Sequence, residues 1–181
     1  GLSGSTLGLV GLGVIGQGMI PRARAFGMKV VGWSRSLTAE KAEYLGMEML
    51  SSPAEVAAAS DIVSLHVALN SDTRNLADEG FFQQMRDGAF FINTSRAEVV
   101  DESVLAEAVK TKGIRAGLDI FEGEPATGTG EVDSPLFKLD GVIGTHHIGG
   151  QTSEAQRSIA EETVRIIREY RDTGSPPNQV F

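Results

Sequence analysis

The sequence contains no cysteine, which excludes disulfide bonds, thiolate metal ligands and a cysteine nucleophile. Basic residues are in the minority: 16 Lys and Arg against 24 Asp and Glu give a formal net charge of -8. This charge argues against nucleic acid and anionic membranes as partners. No apolar run reaches the roughly 18 residues that span a bilayer, and no signal peptide is visible. We therefore expect a cytoplasmic protein, and with only three His residues we predict no metal site.

An initial Met is also absent, and the first predicted strand begins within a few residues of the start. We therefore expect the chain to be a piece of a longer protein. Its 181 residues, 41% of them hydrophobic, are enough for one domain with its own core. Short apolar runs alternate with helical stretches, which predicts a single α/β domain with a Rossmann-type, doubly wound parallel sheet. We assign residues 1–174 to this domain and the Pro-containing residues 175–181 to an extended tail.

Glycine, by contrast, is abundant, and three glycines have the spacing of a nucleotide-binding motif. A buried strand is predicted at residues 7–10, and Gly11, Gly13 and Gly16 follow it as G-x-G-x-x-G before a helix and a second strand. In such a motif the first glycine allows a tight turn, the second allows a phosphate to approach, and the third allows helix and strand to pack closely. The free N–H groups at the helix start would face the phosphates. The motif in this context predicts a dinucleotide site.

The end of the second predicted strand bears on which dinucleotide binds. In NAD sites of this type an acidic residue there holds the ribose 2′-hydroxyl. Here no acid occurs between Gly16 and Glu40, and the expected place holds Ser34, Arg35 and Ser36. A cation flanked by hydroxyls suits a 2′-phosphate, so we favour NADP. The alternative is that Arg35 is an exposed loop cation and the site takes NAD.

Capping residues and hydrophobic periodicity predict the remaining elements. The fourth strand is predicted at residues 61–69, and the last strand at residues 141–144. Helices are predicted at residues 38–45, 53–59, 73–85, 102–112 and 153–172.

Three later segments each place polar residues just after a strand, where open α/β sheets bind ligands. They are Asn93-Thr94-Ser95-Arg96, residues 118–125 (LDIFEGEP) and residues 145–150 (THHIGG). With the glycine motif, these segments resemble the D-isomer-specific 2-hydroxyacid dehydrogenase family over residues 7–174. The resemblance is to its NAD(P)-binding domain, in glyoxylate/hydroxypyruvate reductases or phosphoglycerate dehydrogenases.

The resemblance implies three catalytic residues. Arg96 matches the arginine that binds the substrate carboxylate and carbonyl oxygen, Glu124 the acid that pairs with the catalytic histidine, and His147 that histidine. His146 stands where the family commonly has Pro and is expected to be a bystander. The chemistry agrees, because hydride removal from an alcohol carbon needs a base and His is suited to that role near neutral pH.

The resemblance and the glycine motif together imply a set of cofactor-binding residues. Val14 and Ile15 would lie against the pyrophosphate, and Asp119 near the nicotinamide carboxamide. The full expected set is Gly11, Gly13, Val14, Ile15, Gly16, Ser34, Arg35, Ser36, His66, Val67, Ala68, Thr73, Thr94, Ser95, Asp119, Gly149 and Gly150.

The expected function is therefore that of an oxidoreductase which interconverts a small 2-oxo acid and a D-2-hydroxy acid with NAD(P)H. The family's substrate domain comes from residues that this sequence lacks, so we expect the chain to be inactive alone. The resemblance also suggests a homodimer. The alternative is a non-catalytic dinucleotide sensor, because the resemblance extends to corepressors; an intact catalytic triad favours the enzyme.

Overall fold

A computed structural model of the chain describes residues 1–125, 130 and 132–178. The residues fall into two units, Gly1–His146 and His147–Phe181. The predicted tail lies partly outside the described residues, at 179–181, and the predicted division at residue 174 stays a prediction.

Seven parallel strands in the first unit form one sheet. They are β1 (Thr6–Val10), β2 (Lys29–Trp33), β3 (Glu48–Met49), β4 (Ile62–Leu65), β5 (Phe90–Asn93), β6 (Arg115–Leu118) and β7 (Val142–Gly144). Their spatial order is β3-β2-β1-β4-β5-β6-β7, which confirms the predicted doubly wound Rossmann sheet. The order reverses between β1 and β4, and such a reversal opens a crevice at the carboxyl ends of the strands.

Helices follow most of the strands, and several begin at a side-chain cap. The helices are α1 (Val14–Ala25), α2 (Ala39–Leu45), α3 (Pro53–Ala59), α4 (Glu79–Gln84), α5 (Glu102–Lys112) and, in the second unit, α6 (Ser153–Thr173). Thr38, Ser52 and Asp101 accept backbone N–H bonds at the starts of α2, α3 and α5, a position that these residue types favour. The helix predicted from Thr38 therefore begins one residue later, at Ala39. Among the described residues, no helix combines the length and apolar character needed to cross a bilayer.

Two hydrophobic clusters form the core of the first unit. Neighbouring residues of β1 enter different clusters: Val10 joins one and Leu9 the other. Successive side chains of a strand point to opposite sides of a sheet, so both faces of this sheet are covered. In the larger cluster, Phe81, Phe82 and Phe91 pack edge to face.

Two predicted elements were too long. The fourth strand ends at Leu65 rather than residue 69. Of the helix predicted over residues 73–85, only the second half forms, because Asp78 caps a start at Glu79. Upstream of it, the N–H groups of Asn75 and Ala77 donate to carbonyls of residues 98 and 99, so this segment bonds across the fold instead of along a helix.

Candidate functional site

The three motif glycines occupy three different environments. Gly11 has φ +96°, and a Cβ there would lie 2.4 Å from the carbonyl oxygen of His66. A Cβ on Gly16 would lie 2.2 Å from the carbonyl oxygen of Gly11. Packing therefore requires both glycines. Gly13 differs, because a Cβ there would meet nothing within 4 Å, and the backbone at this position faces open space.

The start of α1 is suited to an anion. Gly13 is the N-cap residue and supplies no side-chain cap, and the first turn contains no acidic residue. The first N–H groups of a helix lack intrahelical partners and carry the positive end of its dipole. Val14 and Ile15 in this turn are 92% and 71% exposed. A helix start that is exposed, contains no acidic residue and follows a glycine can bind a phosphate.

The loop after β2 carries the predicted 2′-phosphate residues. Ser34 is half-buried, while Arg35 and Ser36 are exposed. The guanidinium of Arg35 donates from Nη1 to Oδ2 of Asp72 at 2.9 Å. Asp72 was not a predicted site residue, because it lies in a loop 37 positions further along the chain.

The loop after β4 lies against the glycine motif. The backbone N–H of His66 donates to the carbonyl oxygen of Val10 at 2.7 Å, and its Nε2 lies 3.0 Å from the Ser64 hydroxyl. Burial lowers the pKa of His66 from its ordinary value, which favours the neutral imidazole. Val67 is half-buried and Ala68 is exposed.

Thr73 ends this loop in a buried position. Its hydroxyl donates to the carbonyl oxygen of Ala68 at 2.7 Å and accepts from the backbone N–H of Asn70 at 2.8 Å. These bonds close the loop on itself. The Thr73 side chain thus stabilises the conformation of this loop, and its contact with a cofactor stays a prediction.

Asn93, at the end of β5, holds the turn that carries Arg96. Its Oδ1 accepts from the N–H and the hydroxyl of Ser95, and its Nδ2 donates to the carbonyl oxygen of Arg96 at 2.8 Å. Thr94 and Arg96 are exposed, and the Arg96 guanidinium donates to the Ser95 carbonyl oxygen. No role was predicted for Asn93, although Asn at a strand end before a turn is a common sign of this arrangement.

The loop after β6 holds two carboxylates in place. The buried Asp119 accepts from the hydroxyl of Thr145, which follows β7. The carboxylate of Glu124 accepts from the backbone N–H of Phe121 at 2.8 Å. Glu124 is half-buried, so this bond orients it within its own loop.

Glu102, the first residue of α5, is hydrogen-bonded to the same loop. Its Oε1 accepts from the backbone N–H of Glu122 at 2.6 Å, and its Oε2 accepts from the Ser134 hydroxyl at 3.0 Å. The Glu102 side chain is buried with both oxygens bonded. Nothing local in the sequence indicated this role, because acids in a first helical turn are usually exposed.

The second unit begins with the predicted catalytic histidine. His147 is exposed and has φ +57°, in the left-handed region that non-glycine residues rarely adopt. Its carbonyl oxygen accepts from Gln151 Nε2 at 3.1 Å, and Gly149 and Gly150 lie between the two. Such backbone conformations are often found at functional sites. This feature distinguishes His147 from the exposed His146, which ends the first unit.

The predicted site residues are thus divided between the units. His147, Gly149 and Gly150 belong to the second unit, and all the others belong to the first. In the first unit, the predicted residues follow β1, β2, β4, β5 and β6, all at the carboxyl ends of parallel strands.

Comparison with known proteins gives consistent matches. Residues 1–149 match the NAD binding domain of the D-isomer specific 2-hydroxyacid dehydrogenases. The chain is 40% identical to a D-3-phosphoglycerate dehydrogenase of Methanocaldococcus jannaschii, over 92% of this chain and 32% of the relative. It is also 40% identical to a glyoxylate reductase of Thermococcus litoralis, over 99% of this chain and 53% of the relative.

The fold is similar to that of solved structures as well. A crystal structure of a glyoxylate reductase from Paecilomyes thermophila superposes with a TM-score of 0.87 at 33% identity, covering 99% of this chain and 53% of that one. The chain thus spans between about a third and about half the length of the relatives it matches.

Proposed function

The chain belongs to the D-isomer specific 2-hydroxyacid dehydrogenase family, and we propose that it binds the nicotinamide dinucleotide used to interconvert a 2-oxo acid and a D-2-hydroxy acid. The start of α1 carries this proposal. There the backbone of Gly13 faces open space, and no carboxylate in the first turn would repel a pyrophosphate. The cofactor supplies or accepts the hydride, and the protein's task is to position it and to manage charge and protons.

Three residues serve the substrate in this proposal. Arg96 binds the planar carboxylate through its guanidinium fork and stabilises charge on the carbonyl oxygen. His147 donates or removes the proton of the hydroxyl group. Glu124 is the acid that the family resemblance assigns to the histidine, and a carboxylate in that role favours the charged imidazole. The bonds from Asn93 to the Arg96 turn and from Phe121 to Glu124 support these roles, because a catalytic group must be held in place to be effective.

We further propose that the site prefers NADP. Arg35 is exposed in the loop after β2, where the ribose is bound in this fold, and a guanidinium attracts a 2′-phosphate. The remaining predicted cofactor contacts, at the ends of β4, β5 and β6, are part of the same proposal.

The sensor alternative has less support. The relatives compared above are named as dehydrogenases and reductases, and the residues assigned to the chemistry are all present. A cytoplasmic location and a homodimer remain proposals, and sedimentation of the purified protein tests the second.

The reaction is tested with the protein as the cell makes it. Purified protein is mixed with NADPH and, in turn, glyoxylate, hydroxypyruvate and 3-phosphohydroxypyruvate, and absorbance of the reduced cofactor is followed. We expect turnover with at least one acid, and a loss of about 100- to 10,000-fold in His147→Ala but little loss in His146→Ala. Binding of NADPH without turnover of any acid would favour the sensor, and a greater loss in His146→Ala would show that the histidine assignment is wrong.

A further inference from the structure

The ion pair of Arg35 and Asp72 joins the two loops on either side of the chain reversal. Arg35 follows β2, and Asp72 lies in the loop that follows β4. Nη1 of Arg35 and Oδ2 of Asp72 are 2.9 Å apart, and the two side chains are 65% and 64% exposed. A carboxylate from the loop after β4 therefore lies against the guanidinium of the loop after β2, and residues 34–38 of that second loop contain no acid of their own.

This carboxylate stands where it opposes a 2′-phosphate. A phosphate that approaches Arg35 has to displace the Asp72 carboxylate from Nη1, and it is then repelled by that carboxylate at short range. A ribose with a free 2′-hydroxyl meets neither cost, because a carboxylate accepts hydrogen bonds from hydroxyl groups. The exposed pair is also weak enough to be opened by a ligand.

The loop holds Asp72 in place without help from its carboxylate. The backbone N–H of Asp72 donates to Asn70 Oδ1 at 2.9 Å, and buried Thr73 bonds to the backbone of Asn70 and Ala68. Besides Arg35, the carboxylate accepts a hydrogen bond from the neighbouring Ser71 hydroxyl, at 3.3 Å. An Asp72→Asn variant should therefore fold and keep the shape of this loop.

We infer that Asp72 is a specificity-determining residue of the cofactor site, which limits the preference for NADP by neutralising Arg35 and supplies the acid that NAD sites usually carry at the end of β2. The inference rests on the proposed function. The wild type then accepts both cofactors, with a modest preference for the phosphorylated one.

The test is a titration of the 181-residue chain with NADPH and with NADH, followed by fluorescence. The variants are Asp72→Asn, Arg35→Gln and the double variant, and Glu107→Gln on α5 is a matched control that removes one exposed negative charge elsewhere. We expect Asp72→Asn to bind NADPH about three- to tenfold more tightly, with NADH unchanged or weaker. In the Arg35→Gln background the same substitution should improve NADPH binding less, because only the direct repulsion by Asp72 is then removed and no guanidinium is freed.

Other results would overturn the inference. A ratio of NADPH to NADH affinity that is the same in Asp72→Asn and the wild type would show that Asp72 does not select the cofactor. Weaker NADPH binding in Asp72→Asn would show that Asp72 orients Arg35 for the phosphate instead of opposing it. An equal gain in NADPH affinity in Glu107→Gln would show that the effect comes from the change in net charge and not from the position of Asp72. If neither cofactor bound the wild type, the proposed function would fail and the inference with it, which is a distinct outcome.

Discussion

Replacing Gly13 with Ala should separate cofactor binding from stability. Gly13 has φ -70° and ψ -168°, which an alanine adopts without strain, and its added methyl group would meet no protein atom within 4 Å. Ala gains about 0.4–1 kcal/mol from a less flexible unfolded chain. It loses a similar amount because Ala is a poorer N-cap than Gly, by roughly 0.5–1 kcal/mol. The net change in stability should be within about 0.5 kcal/mol, or about 1–2 °C in Tm for a chain of this size.

Binding should change much more. The methyl group would occupy the space through which a pyrophosphate approaches the start of α1. We expect the dissociation constant for NADPH to rise at least about tenfold, which corresponds to about 1.4 kcal/mol. Fluorescence titration measures the affinity, and thermal melting followed by circular dichroism measures the stability.

Gly16→Ala is the matched control, since its Cβ would lie 2.2 Å from the Gly11 carbonyl oxygen. That clash should cost about 1–3 kcal/mol, partly offset by about 1 kcal/mol of helix propensity. A Gly13→Ala variant that binds NADPH like the wild type, or that melts as early as Gly16→Ala, would contradict the role assigned to Gly13.

Three further predictions concern single side chains. Lys112→Met should lower the free energy of unfolding in urea by about 1–3 kcal/mol, because the ammonium group donates to three carbonyl oxygens at the end of α4; a loss near zero would contradict this. The pKa of Asp61 is held below its ordinary value of 3.8, chiefly by the hydrogen bond from the Thr6 N–H and then by Arg86. The contribution of Asp61 to folding stability is therefore present at neutral pH and is lost as the pH falls through the lowered pKa. The stability gap between wild type and Asp61→Asn should therefore close on acidification from pH 6 to about 2, as denaturant melts at each pH would measure. Burial lowers the pKa of His66 below 6.5, so the unfolded chain takes up this proton first and stability should fall as pH drops below that value; a His66→Gln variant should lack this component in the same melts.

Local signals predicted the elements that are specified locally. Asp101 at the start and Gly113 at the end delimit α5, and the predicted range of residues 102–112 is the observed one. At the start of α3, Ser52 accepts from the Glu55 N–H, and the Glu55 carboxylate accepts from the N–H and the hydroxyl of Ser51. Caps involve residues three or four apart, so a single sequence contains most of what is needed.

The errors lie where distant residues decide the structure. The helix predicted from Thr73 does not begin there, because Asn75, with φ +51°, and Ala77 bond to a segment more than twenty positions away. The candidate site shows the same limit. Sequence motifs indicated Arg35 and Glu124, but the Asp72 and Glu102 carboxylates that act on their loops come from other parts of the chain.

We propose above all that the glycine loop and the start of α1 bind a nicotinamide dinucleotide. The most direct test is isothermal titration calorimetry of the 181-residue chain with NADPH, with NADH as the comparison. We expect saturable binding of one NADPH per chain, with NADH binding more weakly at the same site. A chain that is folded by circular dichroism yet binds neither cofactor at millimolar concentration would contradict it.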